Sequence, residues 1–171
     1  ELVTAAGFRA PHIGGVLAHG GKVYVIEVGD QLTTNVPGVI LVRCYLYVFD
    51  PQTGQKTLLL ESPAGEYSRL RAVGDRVAMV AECANDIRWR LCVTDGTPGG
   101  TRFVTSHQPP SLPRDAFFTR EDVKTKYWGP TGLTVLGNLV LFQDATAEDG
   151  YELWRTDGTA ASMVTNIMEG G

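Results

Sequence analysis

The chain has 171 residues, of which 43% are hydrophobic and 20% are charged, and its formal net charge is −4. This composition is typical of a globular domain with a hydrophobic core, and it excludes a disordered chain. No cluster of lysine and arginine stands out, so we expect no nucleic acid partner. No apolar run approaches the roughly 18 residues that a membrane-spanning helix needs, so we expect no membrane span.

The first predicted repeat unit covers residues 8–61. An apolar segment at 13–18 precedes the glycine pair that starts at Gly20, and a second apolar segment follows it directly. A glycine pair between two such segments is typical of a tight hairpin turn. The string YLYVFDPQTG then alternates apolar residues up to Asp50, and a further apolar run follows at 57–60. The unit therefore predicts four strands joined by hairpins.

The second predicted unit, residues 62–105, repeats this order. Its first segment at 68–73 leads into a turn at Gly74, and an apolar segment follows the turn. Its third segment, RLCVTDGTPGG, passes through Asp95, and a short apolar run at 101–104 ends the unit. This unit too predicts four strands.

Residues 106–130 separate the second and third units as an aromatic-rich insertion. Prolines and charged residues surround four aromatic residues there, namely Phe117, Phe118, Tyr127 and Trp128. Aromatic side chains on a long loop are typical anchors for a protein partner. The alternative is that they fold back onto the predicted sheets as a satellite core.

The third predicted unit covers residues 131–171. A segment at 132–136 precedes the turn at Gly137, the string ELWRTDGTAAS runs through Asp157, and an apolar run follows at 162–167. Repeats of four strands with a period of roughly 40 to 50 residues are typical of β-propeller blades. We therefore expect an all-β fold with three four-stranded propeller-type blades, as part of a larger or completed propeller. A β-trefoil is the alternative, which the unequal spacing of the units disfavours.

The aspartates that end the third segment of each unit have a simple physical explanation. Asp95 and Asp157 precede glycine, which tolerates a positive φ angle without steric cost. The carboxylate can accept hydrogen bonds from backbone N–H groups of the same turn. We interpret these residues, and Asp50 in the first unit, as turn residues and not as catalytic or metal-binding ones.

Cysteines and carboxylates leave two further questions open. Cys83 and Cys92 flank a predicted hairpin loop, so they either form a disulfide or are small buried apolar residues. Asp144, Glu148 and Asp149 are close in sequence, and such oxygen ligands suit calcium, although a solvated acidic loop is the favoured interpretation. No motif for a cofactor, a phosphate or a catalytic nucleophile occurs, so we assign no catalytic residue and no cofactor.

The strings ELWRTDGTAAS and RLCVTDGTPGGTRFVT resemble the bacterial ELWxxDGT repeat family. The third unit matches the motif letters at Glu152, Leu153, Trp154, Asp157, Gly158 and Thr159. The second unit has Arg90 and Cys92 in place of the Glu and Trp of the motif. The resemblance implies propeller-type repeats on exported bacterial proteins, hence an extracytoplasmic location that is periplasmic, cell-surface or secreted. It implies no catalytic residue.

The expected function is that of a non-enzymatic binding or scaffold module of an exported bacterial protein, able to act as a subunit of a larger assembly. Residues 1–4 resemble a fourth strand without a blade before it, and residues 168–171 resemble a linker into a further blade. A blade exposes its faces unless a neighbour stacks on it, so we expect a protein partner or further blades to cover the ends. The alternative is a carbohydrate-binding or carbohydrate-processing propeller; the sequence identifies no ligand.

Overall fold

A computed structural model describes residues 12–33, 40–62, 69–83, 86–105, 129–146 and 149–165. Within these ranges the protein is all-β, with three antiparallel sheets of four strands each. The same ranges contain no helix that is long and apolar enough to cross a membrane. The all-β class and the three four-stranded units predicted from the sequence are therefore confirmed.

Each sheet is a meander whose strands follow one another in chain order. Sheet 1 contains β1 (His12–His19), β2 (Lys22–Thr33), β3 (Ile40–Phe49) and β4 (Lys56–Ser62). Sheet 2 contains β5 (Arg71–Val73), β6 (Arg76–Cys83), β7 (Asp86–Thr94) and β8 (Arg102–Phe103). Sheet 3 contains β9 (Thr131–Leu136), β10 (Leu139–Thr146), β11 (Gly150–Thr156) and β12 (Ala161–Thr165).

Tight glycine turns explain why the first two strands of each sheet form a hairpin. Gly20, Gly74 and Gly137 have φ angles of 57°, 57° and 58°. Glycine adopts this left-handed region without the steric cost that a Cβ atom brings. The residues on either side of the turn are paired, as Val73 is with Arg76. The hairpins predicted at these glycines are thus formed by local backbone geometry.

The three sheets stack through two hydrophobic cores, with sheet 2 in the middle. One core joins the sheet 1 residues Tyr24, Ile26, Leu46 and Val48 to the sheet 2 residues Val77, Met79, Ala81 and Cys92. The other joins the sheet 2 residues Ala78, Val80, Leu91 and Val93 to the sheet 3 residues Val140, Phe142 and Trp154. Successive side chains of a strand point to opposite faces, so β6 and β7 supply alternate residues to the two cores. Both faces of sheet 2 are therefore buried.

The first strands of the sheets lie beside one another, because β5 contacts both β1 and β9. Arg71 on β5 reinforces this edge, since its Nε donates a hydrogen bond of 3.1 Å to the carbonyl oxygen of Leu133. Its Nη1 donates a second bond, of 3.0 Å, to the carbonyl oxygen of Leu70. Sheets that converge along one edge are compatible with blades arranged around an axis.

Cys83 and Cys92 lie at different levels of the β6–β7 hairpin and are not paired with each other. Cys92 pairs across the hairpin with Met79, whereas Cys83 pairs with Asp86. Strand β6 ends at Cys83 and β7 begins at Asp86, so the turn between them is not centred between the two cysteines. Cys92 is a buried free thiol, and burial raises its pKa to about 12. Cys92 therefore packs as a small apolar residue in the core between sheets 1 and 2, whereas the side chain of Cys83 lies outside the described residues.

Candidate functional site

The Thr-Asp-Gly-Thr turn of sheet 2 is closed by its own side chains. The Oδ1 atom of Asp95 accepts hydrogen bonds from the backbone N–H of Thr97 (2.9 Å) and from its hydroxyl group (2.7 Å). The hydroxyl oxygen of Thr94 accepts a bond of 3.0 Å from the N–H of Gly96, whose φ angle is 87°. The hydroxyl donation by Thr97 lowers the pKa of Asp95. All four motif residues therefore serve the turn.

The corresponding turn of sheet 3 repeats this geometry. The Oδ1 atom of Asp157 accepts bonds from the N–H (2.8 Å) and the hydroxyl (2.5 Å) of Thr159, and the hydroxyl bond lowers the pKa of Asp157. In sheet 1 the Oδ1 atom of Asp50 accepts a bond of 2.8 Å from the N–H of Gln52. Each carboxylate is held by its own turn, which supports the interpretation of these aspartates as turn residues.

The motif glycines also lie against the preceding sheet. The Nη1 atom of Arg76 in sheet 2 donates a bond of 2.9 Å to the carbonyl oxygen of Gly158 in sheet 3. A Cβ atom at Gly158 would lie 3.0 Å from Cδ of that arginine. A Cβ atom at Gly96 would lie 2.8 Å from the hydroxyl of Tyr24 and 3.2 Å from Nζ of Lys22, both in sheet 1. Glycine is therefore required here by sheet packing as well as by φ.

Sheet 1 turns one face to sheet 2, and no strand in the described ranges covers its other face. We call this second face the open face of sheet 1. It contains Ile13, Val16, Val25, Tyr45, Tyr47, Phe49 and Leu58. Ile13 is 64% exposed and Val16 is 59% exposed. Single exposed apolar residues are ordinary, whereas a contiguous group of them is typical of interaction surfaces.

The charged residues of the open face of sheet 1 are paired within the sheet. The Nζ atom of Lys56 lies 3.0 Å from Oε2 of Glu27 and 3.8 Å from the centre of the Tyr47 ring. The ring of Tyr45 lies 6.1 Å from that of Tyr47. Since the ammonium group already has an acidic and an aromatic neighbour, a partner that covers this face need not supply a countercharge.

Sheet 3 also has a face that no strand of the described ranges covers, and we call it the open face of sheet 3. It contains Leu136, Leu141, Tyr151, Leu153 and Val164. Gln143 and Arg155 share this face, so it is more polar than the open face of sheet 1. Of the eight large apolar side chains that are exposed in the described part of the chain, seven belong to these two faces. Exposed apolar surface is thus concentrated at the two ends of the stack.

A groove of about 440 Å³ lies between sheets 2 and 3 near their first strands. Its walls include Arg69, Arg71 and Trp89. A Cβ atom at Gly129 would collide with Cβ of Trp89, so the glycine allows the chain to pass close to the indole. An indole beside two guanidinium groups can stack on a planar or sugar-like molecule and hydrogen-bond to its polar groups. The groove is therefore a candidate for a small-molecule site within the described part of the chain.

Two carboxylates are buried between sheets 2 and 3. Asp144 and Glu152 lie directly opposite each other on β10 and β11, and they are 3% and 1% exposed. Asp149 instead lies in a turn, where its carboxylate accepts a bond of 2.9 Å from the hydroxyl of Thr146. Glu148, the third predicted calcium ligand, lies outside the described residues. Among those that are described, no three potential metal ligands come together.

The four aromatic residues predicted as partner anchors, Phe117, Phe118, Tyr127 and Trp128, lie outside the described residues. The sequence predicts uncovered ends but does not identify the residues that form them. The signal for the open face of sheet 1 is the alternation in YLYVF, which places Tyr45, Tyr47 and Phe49 on one face. The burial of Glu152 opposite Asp144 was also missed, although Glu152 shares the alternation of Trp154.

No protein-family model matches this chain, and no curated protein matches it. The resemblance to the ELWxxDGT family therefore stays a prediction that rests on the motif residues. The features of this chain that bear on function are its exposed surfaces and the groove, since a fold by itself does not determine an activity.

Proposed function

We propose that this protein is a non-enzymatic binding or scaffold module of an exported bacterial protein, built from propeller-type blades. The observation that carries the proposal is the open face of sheet 1, where aromatic and aliphatic side chains are exposed together. The bacterial source and the extracytoplasmic location rest on the resemblance to the ELWxxDGT family. The exposed face supplies the binding surface.

The internal junctions indicate how such a face is covered. Met79 and Cys92 occupy in sheet 2 the positions that Val25 and Tyr47 occupy in sheet 1. These two sheet 2 residues are 4% and 0% exposed because they pack in the core shared with sheet 1. Burial of apolar surface contributes about 25 cal/mol per Å². A partner that covers the open face of sheet 1 therefore forms a complex that this burial stabilises. The face therefore suits another sheet or another protein.

The turn motif supports a structural role for the repeat. Asp95 and Asp157 are the recurring ionisable residues of the motif, and each is held by the threonine that follows it. The recurring glycines make room for the neighbouring sheet. The repeat thus builds and stacks sheets, and the function that fits it is presentation of a surface.

The test is the mass of the particle that the chain forms in the cells that produce it, purified without denaturant. We expect a mass above that of one copy of the polypeptide that carries this chain. Leu58→Glu, which places a charge on the open face of sheet 1, is expected to lower that mass. Val135→Glu is the matched control, because Val135 is 42% exposed and Leu58 is 43% exposed, but Val135 lies outside both open faces. A native particle of one chain would contradict the proposal.

A carbohydrate-binding propeller is the second candidate, and the groove beside Trp89 is the observation that favours it. Stacking of a sugar ring on the indole would place its hydroxyl groups near Arg69 and Arg71. The test is a glycan array with the intact chain and with Trp89→Ala, whose fold is checked by circular dichroism. Binding that is lost in the variant supports this candidate, and an array without hits rejects it.

A further inference from the structure

The two internal junctions follow one rule of residue placement. In sheet 2, Leu91 and Val93 pack toward sheet 3, whereas Cys92 between them packs toward sheet 1. Leu46, at the leucine position in sheet 1, also packs toward the next sheet, and Trp154 in sheet 3 packs toward the preceding one. Each sheet therefore has one face that carries the repeat leucine and a second face that does not. Each junction joins the leucine-bearing face of one sheet to the second face of the sheet that follows.

By this rule, the two open faces are the two halves of one more junction of the same kind. Leu153 on the open face of sheet 3 is the counterpart of Leu46 and Leu91. Tyr47 on the open face of sheet 1 is the counterpart of Cys92 and, in sheet 3, of the motif tryptophan. Joining the open face of sheet 3 to the open face of sheet 1 would repeat the internal arrangement.

The exposed residues of sheet 3 are those whose counterparts in sheet 2 are covered. Leu136 is 61% exposed, whereas its counterpart Val73 is 1% exposed and packs in the core with sheet 3. Val164 is 44% exposed, whereas its counterpart Val104 packs against that same core. These positions face a following sheet in the repeat, and sheet 2, which has one, packs both counterparts against it.

At the two open ends, both residues of a contact that recurs at the internal junctions are different. At the internal junctions a cation, Lys22 or Arg76, lies against the motif glycine of the next sheet. The counterpart of these cations in sheet 3 is Leu139, and the counterpart of the glycines in sheet 1 is Pro51. The open end of sheet 3 thus has a leucine where the junctions have a cation, and the open end of sheet 1 has a proline where they have a glycine, so both halves of this contact are apolar.

We propose that the open face of sheet 3 in one copy of this chain docks on the open face of sheet 1 in a second copy. The inference rests on the proposed function and names its partner. Two copies joined in this way place six four-stranded sheets in series, which lies within the about four to eight blades that are typical of propellers. Two head-to-tail junctions related by a two-fold axis then cover all four open faces. The product is a closed six-bladed dimer.

The first measurement is sedimentation of the purified chain over a range of concentrations. We expect a species of twice the 18.5 kDa chain mass and nothing larger. Leu58→Glu and Leu136→Glu are each expected to raise the dissociation constant about 30-fold or more, as for a central interface residue. Val135→Glu, which is on neither open face, is expected to leave it unchanged. Circular dichroism establishes that all three variants fold.

Mixing the two interface variants tests the head-to-tail geometry. A dimer of one Leu58→Glu chain and one Leu136→Glu chain has one junction with both substitutions and one junction with neither. We therefore expect the mixture to associate more tightly than either variant alone. If Leu136→Glu has no effect, or if mixing gives no recovery, the copies do not meet head to tail and the inference is wrong.

Trimers, longer chains of copies or a persistent monomer of the purified chain also overturn the inference. The proposed function is judged separately by the native particle. A native mass that exceeds one chain and falls with Leu58→Glu retains the binding module with a different partner. A native mass of one chain removes the proposed function as well.

Discussion

The guanidinium group of Arg76 holds the motif glycine of the next sheet, since its Nη1 donates a bond of 2.9 Å to the carbonyl oxygen of Gly158. The two residues are 82 positions apart in the chain. Arg102 adds a parallel contact, in which its Nη2 donates a bond of 3.2 Å to the carbonyl oxygen of Thr159. The turn motif therefore connects neighbouring sheets in addition to closing a hairpin.

Gly158→Ala is expected to destabilise the protein by about 1–2 kcal/mol or more. The φ angle of 89° is unfavourable for any residue with a Cβ atom, and that atom would press on Arg76. Urea unfolding measures the free-energy change. Gly99→Ala is the control, because a Cβ atom there has nothing within 4 Å, and it is expected to change stability by about 0.5 kcal/mol at most. Equal effects of the two substitutions would contradict this explanation of the glycine.

Thr159→Ala is expected to raise the pKa of Asp157 toward its ordinary value of 3.8, because the threonine hydroxyl bond is the main cause of its lowering. A carboxyl NMR titration measures it. The folded pKa lies below the unfolded one, so this carboxylate contributes stability above the unfolded pKa and loses it as the pH falls through the folded pKa. Thr134→Ala, whose hydroxyl bonds to the carbonyl of Gly132, should leave the Asp157 titration unchanged.

Cys92 is expected to react with iodoacetamide only after unfolding, and without prior reduction. Its thiol is buried and its pKa is raised to about 12, so almost no thiolate forms at neutral pH. Peptide mapping by mass spectrometry of native and urea-unfolded protein measures the labelling. Labelling that requires a reductant would show that the thiol is in a disulfide.

Phe142→Ala is expected to lower the free energy of unfolding by about 3–5 kcal/mol. The side chain is 1% exposed in the core between sheets 2 and 3, so truncation leaves a cavity that both sheets line. Thermal and urea unfolding measure the loss. Gln143→Ala, at the exposed neighbouring position on β10, is expected to change stability little. A loss below about 1 kcal/mol for Phe142→Ala would mean that sheets 2 and 3 are not packed as described.

The strands and their order within each sheet were predictable because their signals are local. A glycine such as Gly74 between two apolar segments forms a turn through its own φ angle, and the strands pair on either side of it. The turn role of Asp95 was predictable for the same reason, since its hydrogen-bond partner is Thr97 in the same turn. The register between β6 and β7 was not predictable, because no glycine near Cys83 marks the turn between them.

The sequence by itself determined the three four-stranded meanders, because hairpin geometry depends on residues that are neighbours in the chain. Only the tertiary structure decided which face of each sheet is covered, since burial depends on contacts between distant segments. Alternation alone places Tyr47 and Trp154 at the same repeat position, yet Trp154 is packed against sheet 2 while Tyr47 lies on an open face. The contact of Arg76 with Gly158 likewise exists only because sheets 2 and 3 stack.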